Sequence, residues 1–324
     1  MDKNLPVFLV IVRKEFTDFI KSWRIIILLL IIGLTCLGSL YTAITTIKDS
    51  ISQSEEAREI AKDSYLFLKL FTTSDGSLPP FITFISFLGP LLGIALGFDA
   101  INAERNKGTL TRLMSQPVPR DYVINAKFIA ALLVSTVLFF ALGFLNMALG
   151  ILIIGIPPTL EEFLRIICFL CLCIVYIAFW LNLGILFSVR FKQAATSALS
   201  SIAVWIFFSI FYNMVIDFIS KGYLKPESMT NVDEAISKQG TILNFMRLSP
   251  NYLFSESTTT LLSPSVRTLG PLTMEQTVGA VAGPLPFGQS ILLIWPQLTG
   301  LMAATMICFA VSYVLFMRQE IRTN

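Results

Sequence analysis

Six stretches of this chain carry no charged residue: 25–47, 76–98, 128–160, 166–189, 193–216 and 276–317. A helix of about 20 apolar residues crosses the roughly 30 Å of hydrocarbon in a bilayer. The first five stretches each suffice for one crossing. The last carries Gly279, Gly283, Pro284, Pro286 and Gly288 in its first third, which reads as loop and leaves one span. In lipid a backbone satisfies its polar groups only within a helix or a closed barrel. These runs are too long and too little alternating for barrel strands. Only 14% of the residues are charged, against about 25% in a typical soluble domain. The reading is an all-α integral membrane protein, one membrane domain over 1–324. Its spans fall at 25–47, 78–100, 128–156, 166–189, 194–218 and 289–317. The first run lacks a small-residue cleavage site and reads as a retained span.

Lys and Arg set the orientation. With six spans, the N-terminus, the even-numbered connections and the C-terminus share one side, which holds 14 Lys/Arg and 7 acids. The other side holds 10 Lys/Arg and 14 acids. Both termini are therefore expected in the cytoplasm. The long connections 48–77 and 219–287 are then outer segments, and their short capped helical patterns predict a small extracellular helical cap.

The segment 5–22, LPVFLVIVRKEFTDFIKS, predicts an amphipathic helix lying in the membrane plane, its charges Arg13, Lys14, Glu15, Asp18 and Lys21 interleaved with Phe16, Phe19 and Ile20. The five cysteines all fall within spans and read as small hydrophobes, the CFLCLC cluster included. The chain has no histidine, which removes the commonest general base and metal ligand. A polytopic enzyme is disfavoured, and no metal or cofactor site is expected in this chain.

The stretch 101–127, INAERNKGTLTRLMSQPVPRDYVINAK, is the polar exception, with five Lys/Arg between two apolar runs. Gly108 permits a bend and Thr109 is a good N-cap. Leu110, Leu113 and Met114 then share one face of a short helix, with Thr111, Arg112 and Ser115 opposite. Pro117 and Pro119 end it. Three readings fit: a basic loop that only fixes topology, an apolar face against lipid, or a short helix docked in a groove of a partner protein.

The residues Glu104, Gly108, Thr109, Leu110, Leu113, Ser115, Pro117 and Arg120 resemble the cytoplasmic loop of type-2 permeases of ATP-binding-cassette (ABC) transporters. RKEFTDFIKSWR before the first span, FDAINAE at the end of the second, and RLSPNYLFSESTTTLLSP before the last are similar to the same family. Its branch that includes the permease of the nitrous-oxide-reductase maturation system is the most similar in these features. The resemblance implies an "elbow" helix at 5–22, with Arg13, Lys14 and Glu15, and a coupling helix within 101–127. It implies two copies of a separate ATPase subunit. Leu110, Leu113 and Met114 would be buried against that subunit behind the turn of Gly108 and Thr109, with Arg105, Lys107, Arg112 and Arg120 as a polar rim. Glu104 would pair with a neighbouring base or cap the Gly108 turn. The implied partners also include a second permease chain (identical or paralogous), membrane lipids and an extracellular accessory protein, but no nucleic acid. The localisation implied is the cell membrane, as a multi-pass protein.

The chain has no GxxxxGK[ST] motif, nor any Gly-Lys pair, so ATP and Mg are expected on the partner ATPase. Polar residues inside spans are costly and are default candidates for a substrate path: Asn146, Asn182, Asn213, Asp217 and Gln297. They could equally be interhelical hydrogen bonds. With so apolar an interior, export of a hydrophobic or amphipathic cargo is the expected function. The alternative is a mechanotransmitter, sensor or anchor that uses hydrolysis to move its outer segments without transporting a solute.

Overall fold

The computed structural model describes residues 6–52, 65–109, 119–155, 157–223, 232–265 and 284–318. Among the described residues every regular element is helical. The elements are α1 (Val7–Lys21), α2 (Trp23–Ser52), α3 (Leu66–Thr72), α4 (Phe81–Gly97), α5 (Asn102–Asn106), α6 (Arg120–Ile154) and α7 (Leu160–Arg190). After them come α8 (Ala194–Ile206), a π-helical turn (Phe207–Phe211), α9 (Tyr212–Tyr223), α10 (Val232–Met246), α11 (Pro250–Leu262) and α12 (Phe287–Arg318). Six stretches are long and apolar enough to cross a membrane: Trp23–Lys48, Phe81–Asn106, Arg120–Ile153, Leu160–Arg190, Ala194–Gly222 and Phe287–Arg318.

α7 is the hub. It packs against α4, α6, α8, α11 and α12. Two-thirds (67%) of its most apolar stretch is buried, against 11% for the α8–α9 span. Thr159 begins it with a capping box: its hydroxyl accepts from the Glu162 amide while Glu162 Oε2 accepts from the Thr159 amide at 2.8 Å. α4 runs parallel to α7 at backbone contact. A Cβ on Gly93 would lie 2.8 Å from the Ile177 carbonyl oxygen, and one on Gly97 would lie 2.6 Å from that of Leu181. Only glycine permits this approach, which is how apolar helices associate where hydrocarbon offers no hydrophobic drive.

The segment after the fifth span does not stay outside the bundle. Tyr212 donates to the Phe245 carbonyl, so α10 returns to the level where α9 began. Ser249 caps α11, with Pro250 at its first position. α11 then packs on α7 and α12. Phe254 stacks on Tyr176, ring centroids 4.2 Å apart. Tyr176 lies about 24 Å along α7, by 1.5 Å per residue, so α11 starts near mid-bundle. At its other end the Leu261 carbonyl meets Arg165, close to the start of α7. α10 and α11 thus form a hairpin whose second arm is buried in the bundle, within the stretch that the sequence reading assigned to an outer helical cap. The reason is visible in α11, whose Leu253, Phe254, Ser257, Thr258, Thr260, Leu261 and Leu262 are all buried. A helix covered on most sides belongs inside a bundle and not on its surface.

Arg165 fastens this end. Its side chain is fully buried, and its five N–H groups are all used. Nε and Nη2 reach Glu161 Oε1 at 3.1 and 2.9 Å, Nη1 reaches the Leu261 carbonyl and Ser290 Oγ at 3.0 Å each, and Nη2 also reaches the Leu285 carbonyl at 2.6 Å. The rings of Tyr65 and Phe287 lie within cation–π range, 5.7 and 5.9 Å from the guanidinium carbon. Beside it, Glu162 Oε1 accepts from the Phe67 amide at 3.0 Å and so holds the first turn of α3.

Two outcomes are expected from thermal unfolding of the purified chain. Gly97→Ala should cost about 1–3 kcal/mol, because its methyl meets backbone, whereas Gly33→Ala, with nothing within 4 Å, should be neutral. Arg165→Met should cost about 3–5 kcal/mol by stranding a carboxylate and two carbonyls, and Arg165→Lys should recover only part of that.

Candidate functional site

At the bundle end that carries α1, three helices converge on one ammonium group. α1 lays Val12 on Ala126 and Ala130 of α6, with Phe8, Ile11, Phe16 and Phe19 around them. Phe8 meets Tyr122 edge-on, centroids 5.4 Å apart. The two alanines let α1 approach α6 closely, which sets Glu15 beside Lys127. Lys127 Nζ lies 2.8 Å from Glu15 Oε2 and 2.9 Å from Glu104 Oε1. Its side chain is 6% exposed, and those of Glu15 and Glu104 are 10% and 19% exposed. Lys14, largely solvated, donates to Glu15 Oε1 at 3.0 Å and approaches Asp18 at 3.5 Å.

Glu104 is delivered by the α4–α7 contact. Where α4 ends, Ser188 Oγ of α7 accepts from the Ile101 and Asn102 amides at 2.9 and 3.2 Å. Asn106 Nδ2 donates to the Lys192 carbonyl at 3.1 Å. α5 therefore continues the line of α4 while bound to the far end of α7. Gly108 then takes φ +68°, a left-handed residue of the kind that ends helices. The Thr109 hydroxyl donates back to the Glu104 carbonyl at 3.2 Å. Leu110, Arg112, Leu113 and Met114 lie outside the described residues, and so does the helix that Thr109 was expected to cap. Arg120 opens α6. Nearby, Arg24 at the start of α2 pairs with Asp99 at 2.7 Å and lies over the Phe98 ring.

The electrostatics of the cluster are mutual. Burial pushes the Glu15 carboxyl up, but the adjacent Lys127 charge and the hydrogen bonds from Lys127 and Lys14 outweigh it, holding Glu15 below its ordinary 4.5. Burial likewise lowers Lys14, and the hydrogen bond and charge of Glu15, with Glu104 and Asp18, outweigh it and raise Lys14 above 10.5. Glu104 Oε2 is buried without a donor, so among the described residues its carboxylate is hydrogen-bonded through Lys127. Such a cluster contributes little net stability against an apolar replacement, yet removing Lys127 alone would cost about 3–5 kcal/mol, because two buried carboxylates would lose their cation.

A second polar set lies along α7 and the hairpin. Arg247 grips Glu256 with Nε and Nη2 at 3.0 and 2.8 Å, and Gln297 Nε2 donates to Glu256 Oε2 at 3.0 Å. Tyr176 Oη lies 2.8 Å from Asn251 Oδ1 and 3.0 Å from the Ser86 carbonyl, sharing one proton between two acceptors. Asn251 Nδ2 in turn reaches Ser209 Oγ in the π-helical turn at 2.6 Å. Of the candidate path residues, Gln297 joins this set. Asn182 donates to the Thr305 carbonyl at 3.3 Å, and both amide atoms of buried Asn146 lack a partner. Asn213 and Asp217 are exposed on α9 and converge with none of these. The cysteines of CFLCLC do not converge either: Cys173 is buried, Cys171 exposed and Cys168 between. The buried pairing of Lys127, Arg165, Arg247 and Glu256 was not foreseen, since counting charges outside the spans treats them as solvated.

The folded Glu15 releases its proton more readily than the unfolded one, so its contribution is complete above pH 4.5 and is lost as pH falls through the lowered folded value. Thermal unfolding followed from about pH 5 to pH 3 should therefore show a falling Tm, and Glu15→Gln should flatten that slope; an unchanged slope would remove Glu15 from the cluster's energetics.

A family profile described as "ABC-2 family transporter protein" matches residues 9–321. The chain is similar to the "Probable ABC transporter permease protein NosY" of Pseudomonas aeruginosa, 25% identical over 232 residues, which are 68% of this chain and 75% of that one. It is also similar to the protein of the same name from Stutzerimonas stutzeri, 25% identical over 164 residues, covering 48% of this chain and 58% of that one. A match running through all six apolar helices and the ion cluster places this multi-pass chain in the ABC-2 family of transporter proteins.

Proposed function

We propose that this chain is the membrane-spanning subunit of an ATP-driven exporter of a hydrophobic or amphipathic cargo, and that a separate ATPase subunit drives it through the segment between Asn106 and Arg120. The cluster of Glu15, Glu104 and Lys127 supports this reading most directly. It ties both flanks of that segment to each other and to α1 through buried charge, a costly arrangement that a loop serving only topology does not need. In this reading α1 is the elbow helix, with Arg13 and Lys14 toward water. Leu110, Leu113 and Met114 face the ATPase, and Arg105, Arg112 and Arg120 form the rim. The α1 end is cytoplasmic, consistent with the excess of Lys and Arg there. Two permease chains and two ATPase subunits make up the complex in the cell membrane. The chain itself is no enzyme, and ATP and Mg belong to the partner. An extracellular accessory protein would meet the opposite end.

An apolar cargo suits the bundle, whose buried polar atoms are few and mostly engaged. The unpartnered amide of Asn146 and the free Oδ1 of Asn182 are among the points at which it would find hydrogen-bonding groups. The Arg165 clasp, with Glu162 beside it, favours a second reading, in which the subunit transmits movement to the opposite end without carrying a solute: Arg165 joins α7, α11 and α12 there, and Glu162 joins α3 to α7.

Co-purification with a co-expressed ABC-type ATPase subunit tests the docking. Leu113→Glu should reduce the ATPase recovered by about tenfold or more, since a charge placed at the centre of an apolar contact is poorly tolerated. Full recovery with Leu113→Glu would sink the docking assignment. Accumulation of an apolar fluorescent cargo in vesicles holding the wild-type complex would separate export from transmission alone.

A further inference from the structure

Glu104 precedes the connecting segment and Lys127 follows it, 23 residues later, and the two are bonded to each other. The segment is thus closed at its base by an ion pair. The same ammonium also holds Glu15 of α1. The other carboxylate oxygen of Glu104 is buried without a donor. Any displacement of α5 therefore either carries Lys127 with it or exposes two charges in a place that water barely reaches. On the far side of each partner the connections are firm. α5 is held to α7 through Ser188, and α1 is held to α6 through Val12, Ala126 and Ala130.

We infer that Lys127 is a positioning residue for energy transfer: it pins the base of the connecting segment so that a push on that segment moves α1, α4 and α6 as one body, in place of spreading the loop. The inference rests on the proposed docking of an ATPase to this segment. It assigns Lys127 no contact with ATP, ATPase or cargo. With the pin removed, the ATPase still binds and still hydrolyses ATP, but the loop flanks part and absorb the movement. The opposite end of the bundle then stops responding.

The test uses the full chain with its ATPase in lipid nanodiscs. Asp75→Cys, exposed at the opposite end, is labelled with a membrane-impermeant maleimide with and without ATP. Lys127→Gln with Glu15→Gln removes the ammonium and one carboxylate together and leaves an amide that can still reach Glu104. This pair should keep ATPase association and hydrolysis within about twofold, while the ATP-dependent change in labelling rate falls about fivefold or more, the scale of a lost coupling between sites. A merely structural role would instead lower association, hydrolysis and labelling change together. An undiminished labelling change in the double variant would overturn the inference and leave the proposed function standing. Failure of the wild-type chain to bind an ATPase would overturn both. If the double variant does not fold, Glu15→Gln alone decides. It severs α1 from the pin, so a labelling change about twofold smaller is expected, and an unaltered one rejects the link.

Discussion

The approach of α4 to α7 is the constraint from which the rest of the structure hangs. Three glycines, Gly93 and Gly97 on α4 and Gly184 on α7, remove the side chains that would hold the two backbones apart. The parallel pair that results brings Ser188 within reach of the Ile101 and Asn102 amides, which are first-turn donors with no partner inside α5. That bond aims α5, and α5 carries Glu104 to Lys127. A contact made only of backbone and absent side chains thus fixes, two turns later, the position of a buried charge.

Charge is handled differently at the two ends of the bundle. At the α1 end an ammonium is shared by two carboxylates, a compact group that can follow moving partners. At the opposite end a planar guanidinium occupies fixed directions, its five N–H groups divided among four acceptors. The first holds few bonds per partner and the second holds many. Between them, Glu256 sits with Arg247 and Gln297, its charge neutralised before it meets hydrocarbon. Each buried ion thus has a partner, as the desolvation penalty requires.

Much of this was legible in the chain. Charge-free length alone gives the six membrane helices, because hydrocarbon thickness leaves little choice. The RKE stretch, Glu104 and the lysine that leads into the third span stood out by their resemblance to a known family, but nothing local said that Lys127 would be buried between Glu104 and Glu15, because that depends on α1 lying upon α6. The sequence indicated short helices at α10 and α11 but not that α11 is buried, because its Ser, Thr and Asn content suggests a solvated surface. Those side chains instead bond their own helix, as Ser257 and Thr260 do to the carbonyls of Leu253 and Glu256, which lets a polar sequence be buried. The convergence of Tyr176, Asn251 and Ser209 had no local signal, being contributed by three helices far apart in the chain.

The hairpin also bears on the order in which the chain assembles. α11 lies between α7, made before it, and α12, made after it. While synthesis proceeds, α11 has one wall of its eventual enclosure and lacks the other. During that interval Arg247 and Glu256, nine residues apart, are the only charges α10 and α11 need to reconcile near their turn, and they can do so with each other. Gln297, on the last of these helices to be made, adds the third hydrogen bond to Glu256.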